Sequence, residues 1–367
     1  QGPNMKIASI DASVYQFPIH VPLIDKPIQN RRMVFCKVAT DDGVEGWGIT
    51  GNFLGASIVT ALKGAFLDTV KGMDPRDTEA IHHRVWNRLN PRAYTGVISN
   101  ALSALDIACW DIHGKAVGRT VAQLMGGHAD YADAYATFGT LHYDKDQLVE
   151  CATMFKKKGV TRLKMEAACK GGWQEDARRI RAVRDAIGPD VELMIDANYK
   201  MTMADARYLG RAVADCNLSW FEEPLHQNDA VLLADLRHHI NMPIAAGQME
   251  GSRWRFRELM MHKSVDIVQP NCIYCGGFTE QRKIGHMAQA FNMPVANGAG
   301  WPTLNVHTMA GLMNGTVVEL HLGTTHMEKT AFKDAPMPEG NRLKVPTKPG
   351  LGFEPDWDAL KDVRVKE

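Results

Sequence analysis

What this 367-residue chain lacks narrows its function before any motif is considered. It has no charge excess: 42 Lys and Arg balance 42 Asp and Glu, for a formal net charge of zero. Such a chain has no electrostatic footprint for nucleic acid or for an anionic membrane surface. It has no run of about 18 apolar residues to span a bilayer, and no charged-then-apolar leader at its start. Residues 1–4, ahead of Met5, read as a remnant of cloning. Cysteine is sparse, seven scattered from Cys36 to Cys275, which is not the framework of a secreted protein and points to a reducing cytoplasm. Cys272-x-x-Cys275 has no Cys or His partners nearby at zinc-ligand spacing, so it reads as two small residues in a packed turn. No low-complexity segment is present.

What is there suits two domains, since the length matches a barrel of about 250 residues plus a smaller unit. Residues 5–50 alternate apolar and polar in short stretches rich in Val, Ile, Tyr and Phe, with Asp41-Asp42-Gly43 turning the chain back, as in an antiparallel meander. From about Ala56 to Met125 the period becomes helical. In residues 101–117, Leu102, Leu105, Ile107, Ala108 and Ile112 line one broad face, with Gly118 beyond the end. Residues 1–127 therefore read as an α+β capping domain.

After Gly126-Gly127, eight short apolar runs recur: 134–138, 161–165, 192–195, 218–221, 243–246, 265–268, 293–296 and 316–320. Amphipathic stretches long enough for crossover helices separate them. Eight strands alternating with helices predict an α/β fold, a TIM-type parallel barrel over residues 128–330. The Pro- and Gly-rich tail, 331–367, is expected to return to the capping domain.

Functional groups of such barrels sit at the C-terminal strand ends, which share one face. Here those ends carry Lys164 and Glu166, then Asp196, Glu222 and Gln248. The last three are spaced 26 residues apart, one strand–helix repeat each, so their side chains are expected to converge. Two carboxylates and an amide oxygen form a hard-oxygen set suited to Mg²⁺, and the competing reading is helix N-capping. Lys164 and Glu166, two apart on a strand, share a face and suit carboxylate binding and proton transfer, or a simple buried ion pair. The Asn297-Gly298-Ala299-Gly300 turn before a helix leaves N–H groups free for an anion, or is an ordinary tight turn. Glu319 and His321 share a face of the eighth strand, and Tyr274 and Trp301 are candidates for the pocket wall.

The runs Ser103-Ala104-Leu105-Asp106, Asp196-Ala197-Asn198, Trp220-Phe221-Glu222-Glu223-Pro224, Gly276-Gly277 and Lys348-Pro349-Gly350-Leu351-Gly352 together resemble the mandelate racemase/muconate lactonizing branch of the enolase superfamily. The resemblance spans essentially the whole chain. It implies a (β/α)₇β barrel, a Mg²⁺ cofactor, and removal of the proton α to a substrate carboxylate to give a metal-stabilised enediolate. Asp196 and Glu222 match the first two metal ligands. Gln248 stands where a third, usually Glu, is expected, and Glu250 is its substitute. Glu319 matches an acidic group facing the developing oxyanion. Both standard bases are missing, however. The second-strand Lys-x-Lys is Lys164-Met165-Glu166, and the Asp–His dyad aligns with Asn271 and Gly298.

These departures disfavour an ordinary two-base racemase. The expected activity is a Mg²⁺-dependent lyase dehydrating a hydroxy carboxylate such as a sugar acid. The alternatives are an epimerase, racemase or cycloisomerase using His321 or Tyr274, and a catalytically degenerate barrel that only binds metal or ligand. Expected catalytic residues are Lys164, Glu166, Glu319 and His321. Expected substrate contacts are Asn198, Asn271, Tyr274, Asn297, Gly298, Trp301 and His20, with specificity from capping loops at 18–29 and 51–56, where Lys26 and Arg32 also lie. The expected partner is a small-molecule carboxylate, with no nucleic acid or membrane, in a cytoplasmic homo-oligomer.

Overall fold

The computed structural model describes residues 5–51, 53–93 and 95–366; residues 1–4 lie outside it. The N-terminal unit is an antiparallel three-stranded sheet, β1 (Ile7–Val21), β2 (Ile24–Thr40) and β3 (Glu45–Gly51). The first two strands form one long ribbon paired from Ile7↔Thr40 to Val21↔Ile24. Residues 18–29 are therefore the tip of a hairpin and not an open loop, and Ile19, Val21, Ile28 and Gln29 of it line a cavity at the barrel mouth. The β-branched and aromatic content of both strands favours this extended pairing over a loop. The helix Val97–Val117 packs across the sheet, and Val38, Ile10, Leu102, Leu105 and Ile112 share one core.

The second unit is the barrel. β4 (Tyr131–Gly139), β5 (Arg162–Glu166), β6 (Glu192–Asp196), β7 (Leu218–Glu222), β8 (Ile244–Ala246) and β9 (Ile267–Val268) pair in sequence as parallel neighbours, and β10 (Val317–His321) pairs parallel with β4. Val295 bridges the gap between β9 and β10 with parallel contacts to Val268 and Gly315. The seventh strand expected at 293–296 is thus reduced to a bridge, in keeping with Pro294, which has no N–H to give a ladder. Tyr135, Met194, Trp220 and Ala245 fill the interior, while the outer faces of the strands pack on the surrounding helices.

The tail divides. β11 (Phe332–Lys333) pairs with β13 (Glu354–Pro355), and Val365 N–H donates to Val14 O of the capping sheet at 2.9 Å. Between them β12 (Arg342–Lys344) pairs with β4, so this part of 331–367 lies on the barrel instead of returning to the cap. Among the described residues no helix is long and apolar enough to cross a membrane.

Candidate active site

Strand register decides which polar groups meet. Glu166 pairs with Asp196 and Asp196 with Glu222, placing three carboxylate-bearing strand ends at one height. Lys164 stands inside them, fully buried. Its ammonium lies 2.6 Å from Glu222 Oε2, 3.0 Å from Glu319 Oε1 and 3.6 Å from Asp196 Oδ2. Trp220 Nε1–H also donates to Glu222 Oε2, at 3.1 Å. Thr137 Oγ1–H and Gly300 N–H donate to the two oxygens of Glu319.

Three carboxylates thus face one ammonium, leaving two negative charges uncompensated in a ring shielded from water. Burial pushes the Asp196 carboxyl up to about 7 and that of Glu222 up to about 8, against the pull of Lys164. Burial acts the same way on Glu319, but Lys164, His321 and the Thr137 hydroxyl outweigh it and hold this carboxyl below its usual range.

The residues present fit a divalent cation. Glu222 Oε1 is buried without a hydrogen-bond partner, an acceptor aimed at nothing in the protein. Gln248 gives its amide N–H to Glu223 Oε2 at 2.8 Å. Burial pushes the Glu223 carboxyl up to about 7; in its ionised form it only accepts, which turns the amide end to Glu223 and leaves the carbonyl oxygen for the site. Among the described residues no three His, Cys, Asp or Glu are grouped to hold a metal. Of the three carboxylates around Lys164, Asp196 and Glu222 suit a cation, Glu319 being taken by Thr137 and Gly300, and the neutral Gln248 oxygen would be the third donor. Glu250 does not join them. It is drawn off by Arg255, at 3.1 Å, and by Asn228, at 3.0 Å.

Above the ring lies a cavity of about 220 Å³ lined by Glu166, Asp196, Asn198, Gln248, Tyr274, Trp301, Glu319 and His321, and roofed by Arg31 and Met33 of the hairpin. A second cavity of about 260 Å³ shares Arg31, Thr137, Glu166, Asn198 and His321 with it. A larger one, about 450 Å³, lies on the flank beside Trp86, Arg253 and Lys283, away from the ring. There Arg253 pairs with Glu280 and Lys283 with Glu79, so the cations are already neutralised.

His321 Nδ1 accepts the Gly323 N–H at 3.0 Å, so the neutral ring carries its proton on Nε2. Burial, Arg31 and Lys164 together push this imidazole down to about 4, with Glu319 opposing, and keep it neutral. The site therefore has a hydrogen-bond donor at His321, not a cation.

Other expected contacts fall elsewhere. His20 is exposed on the outer face of the hairpin, its ring 5.3 Å from that of His326, because strand alternation turns Ile19 and Val21 inward instead. Asn271 and Asn297 are fully buried and tie their amides to the carbonyls of Gly298 and Gly300, so they hold the turn together beneath the cavity. Of the N–H groups of that turn, that of Gly300 is taken by Glu319. Gly298 fills a packing need: a Cβ there would stand 2.8 Å from Gln248 Cβ. Arg32 bonds Gln16 on the outside. Arg31, one residue earlier, is the inward-facing cation that sequence reading missed. Its cross-strand partner Phe17, buried at the core, was the signal, since paired residues share a face. Tyr135, Thr137 and Glu223 were missed as well.

The chain matches two family models in succession, the mandelate racemase/muconate lactonizing enzyme N-terminal domain over residues 7–126 and the enolase C-terminal domain-like family over residues 147–359. It is 30% identical to a D-galactarolactone cycloisomerase of Agrobacterium fabrum, over 99% of this chain and all of that one. It is also 30% identical to an arabinonate dehydratase of Saccharolobus solfataricus, over 88% of this chain and 87% of the relative. Among solved structures, a racemase from Streptomyces coelicolor A3(2) with bound magnesium superposes with a TM-score of 0.90 at 27% identity, covering 98% of this chain and 100% of that one. Matched along nearly its whole length, the chain belongs to the mandelate racemase/muconate lactonizing enzyme branch of the enolase superfamily.

Proposed function

We propose that this protein is a Mg²⁺-dependent hydro-lyase that converts a hydroxy carboxylate, such as a sugar acid, to its 2-keto product with loss of water. The observation that carries this reading is the one-sidedness of the site. Glu166 lines the cavity from the second barrel strand. The wall where the family's dyad would stand has Asn271 locked onto backbone carbonyls and Gly298 without room for a side chain. Proton transfer on both faces of a carbanion needs two groups; elimination needs one base that later returns its proton.

Asp196, Glu222 and Gln248 would hold the Mg²⁺, which supplies a Lewis acid for the substrate carboxylate and offsets the excess charge of the ring. Lys164 holds charge at the floor, and Glu319 faces the same region. Glu166 removes the proton α to the carboxylate. The freed electron pair forms the C2=C3 bond as the C3–O bond breaks, with His321 Nε2–H donating a hydrogen bond to the departing oxygen. Glu166 returns its proton to complete the water, and the enol left behind becomes the 2-keto acid. Asn198, which bonds both oxygens of Asp196, positions that carboxylate. Tyr274 and Trp301 wall the pocket. In this reading residues 1–127 supply the roof and 128–330 the reacting barrel, with the 342–344 part of the tail paired to that barrel.

A screen of acid sugars for 2-keto product tests the activity, with Glu166→Gln as the control. That variant is expected to lose turnover by about 10²-fold or more while binding Mn²⁺ normally; full activity in it removes Glu166 from the mechanism. Tyr274, which lines the cavity, supports a second reading, an epimerase or cycloisomerase with Tyr274 as acid. Deuterium from D₂O entering recovered substrate or an isomer, without loss of water, would favour it. Buried free cysteines suit a cytoplasmic setting, and exposed Met261, Phe291 and Met313 suit a homo-oligomer.

A further inference from the structure

Arg31 is the one basic side chain that the capping hairpin places at the roof of both active-site cavities. It is partly buried, and among the described residues it makes no ion pair and no side-chain hydrogen bond. Glu166 and Glu319 share the cavity, yet neither comes within ion-pair distance of it. Its charge is nevertheless felt at the wall, lowering His321 and opposing the upward shift that burial imposes on Tyr274. Lys200 also lines both cavities without an ion pair among the described residues, but it is exposed on the barrel side, whereas Arg31 is partly buried in the roof; Arg32 takes Gln16, and Arg255 takes Glu250.

The cavity is therefore polarised. Its floor gathers Asp196, Glu222 and Glu319 around Lys164, and its roof carries an unanswered guanidinium beside a phenol. A planar guanidinium held away from protein carboxylates favours a planar, bidentate anion. We propose that Arg31 receives a second carboxylate of the substrate, at the end remote from the metal ring, so that the preferred substrates are dicarboxylic sugar acids and not their monocarboxylic counterparts. This rests on the reading of the ring as the site for the reacting carboxylate. It adds that the roof selects the oxidation state of the far end of the chain.

The test is binding, which needs no turnover. Calorimetric affinities in Mg²⁺ are compared for a set of hexarates and the hexonates of the same configuration, each pair differing only in a terminal carboxylate or CH₂OH. At least one hexarate is expected to bind about 10- to 100-fold more tightly than its hexonate. Arg31→Met should erase that difference and leave hexonate affinity unchanged, and Arg31→Lys should restore part of it. The proposal is overturned if no hexarate outbinds its partner, or if Arg31→Met weakens both members of a pair equally. Because Arg31 lies outside the cores, the variant should keep the wild-type melting temperature. Failure of the lyase reading would show separately, as the absence of 2-keto product from every acid while this binding preference persists.

Discussion

Gln248 can present either end of its amide to the barrel axis, and Glu223 decides which. The Glu223 carboxylate is fully buried, takes Asn228 on one oxygen and Gln248 on the other, and sits on a left-handed backbone at φ 41. Replacing it by Gln offers a carbonyl or an amide to Gln248 at nearly equal cost, so the orientation is no longer dictated. Glu223→Gln should therefore weaken Mn²⁺ binding by about 10-fold, roughly the worth of one misdirected ligand-orienting contact. Unchanged Mn²⁺ affinity would show that Gln248 does not depend on Glu223. Gly298 belongs to the same argument. A side chain at 298 would have to move Gln248 first.

At the scale of elements, the two units are fastened where the helix Val97–Val117 meets the helix Gly277–Ala290. Asp106 accepts from Thr279 N–H and Oγ1–H and contacts His82 Nε2 at 2.7 Å; Ser103 Oγ accepts from Gly276 N–H. Gly277 must be glycine, because a Cβ would lie 2.2 Å from Asp106 Oδ2 and its φ is 81. This is the physical content of the Ser-Ala-Leu-Asp and Gly-Gly runs read in the sequence: they are a joint between units, with no chemistry of their own.

His82 makes the joint sensitive to pH. Burial alone would lower it, but Asp106 and Glu280 outweigh burial and lift it from 6.5 to about 9. A folded pKa above the unfolded one means its stabilisation is complete below about pH 6.5 and is lost as pH rises through 9. Its size is on the order of 2–3 kcal/mol. The melting temperature of the wild type should exceed that of His82→Gln most at pH 6, and the gap should close towards pH 10. A gap that stays constant over this range would mean that His82 is neutral in the fold.

For the whole molecule, the charge excess of the ring links metal binding to stability. A dication that binds only the folded chain, at about 100 times its Kd, contributes about 2.7 kcal/mol, enough to raise the melting temperature by several degrees. Mg²⁺ should produce this rise in the wild type. The rise should be lost in Asp196→Asn and in Glu222→Gln, whose melting temperatures without metal should match or exceed that of the wild type because each relieves the crowding of negative charge. A Mg²⁺-induced rise that survives both substitutions would place the cation elsewhere.

The alternation of apolar runs with amphipathic stretches was enough to read the barrel, and one-repeat spacing was enough to bring Asp196, Glu222 and Gln248 together, because in a parallel barrel equal positions on successive strands must share a height. What the chain alone could not reveal were choices made across the gap between units. His20, Lys26 and Arg32 were the residues read there, and Arg31 was passed over. Glu250 stood as a substitute for Gln248, and in the fold Arg255 and Asn228 hold it. Such outcomes depend on which face of a hairpin turns inward and which partner reaches a carboxylate first. These are set by contacts between residues far apart in sequence, and local pattern carries no record of them.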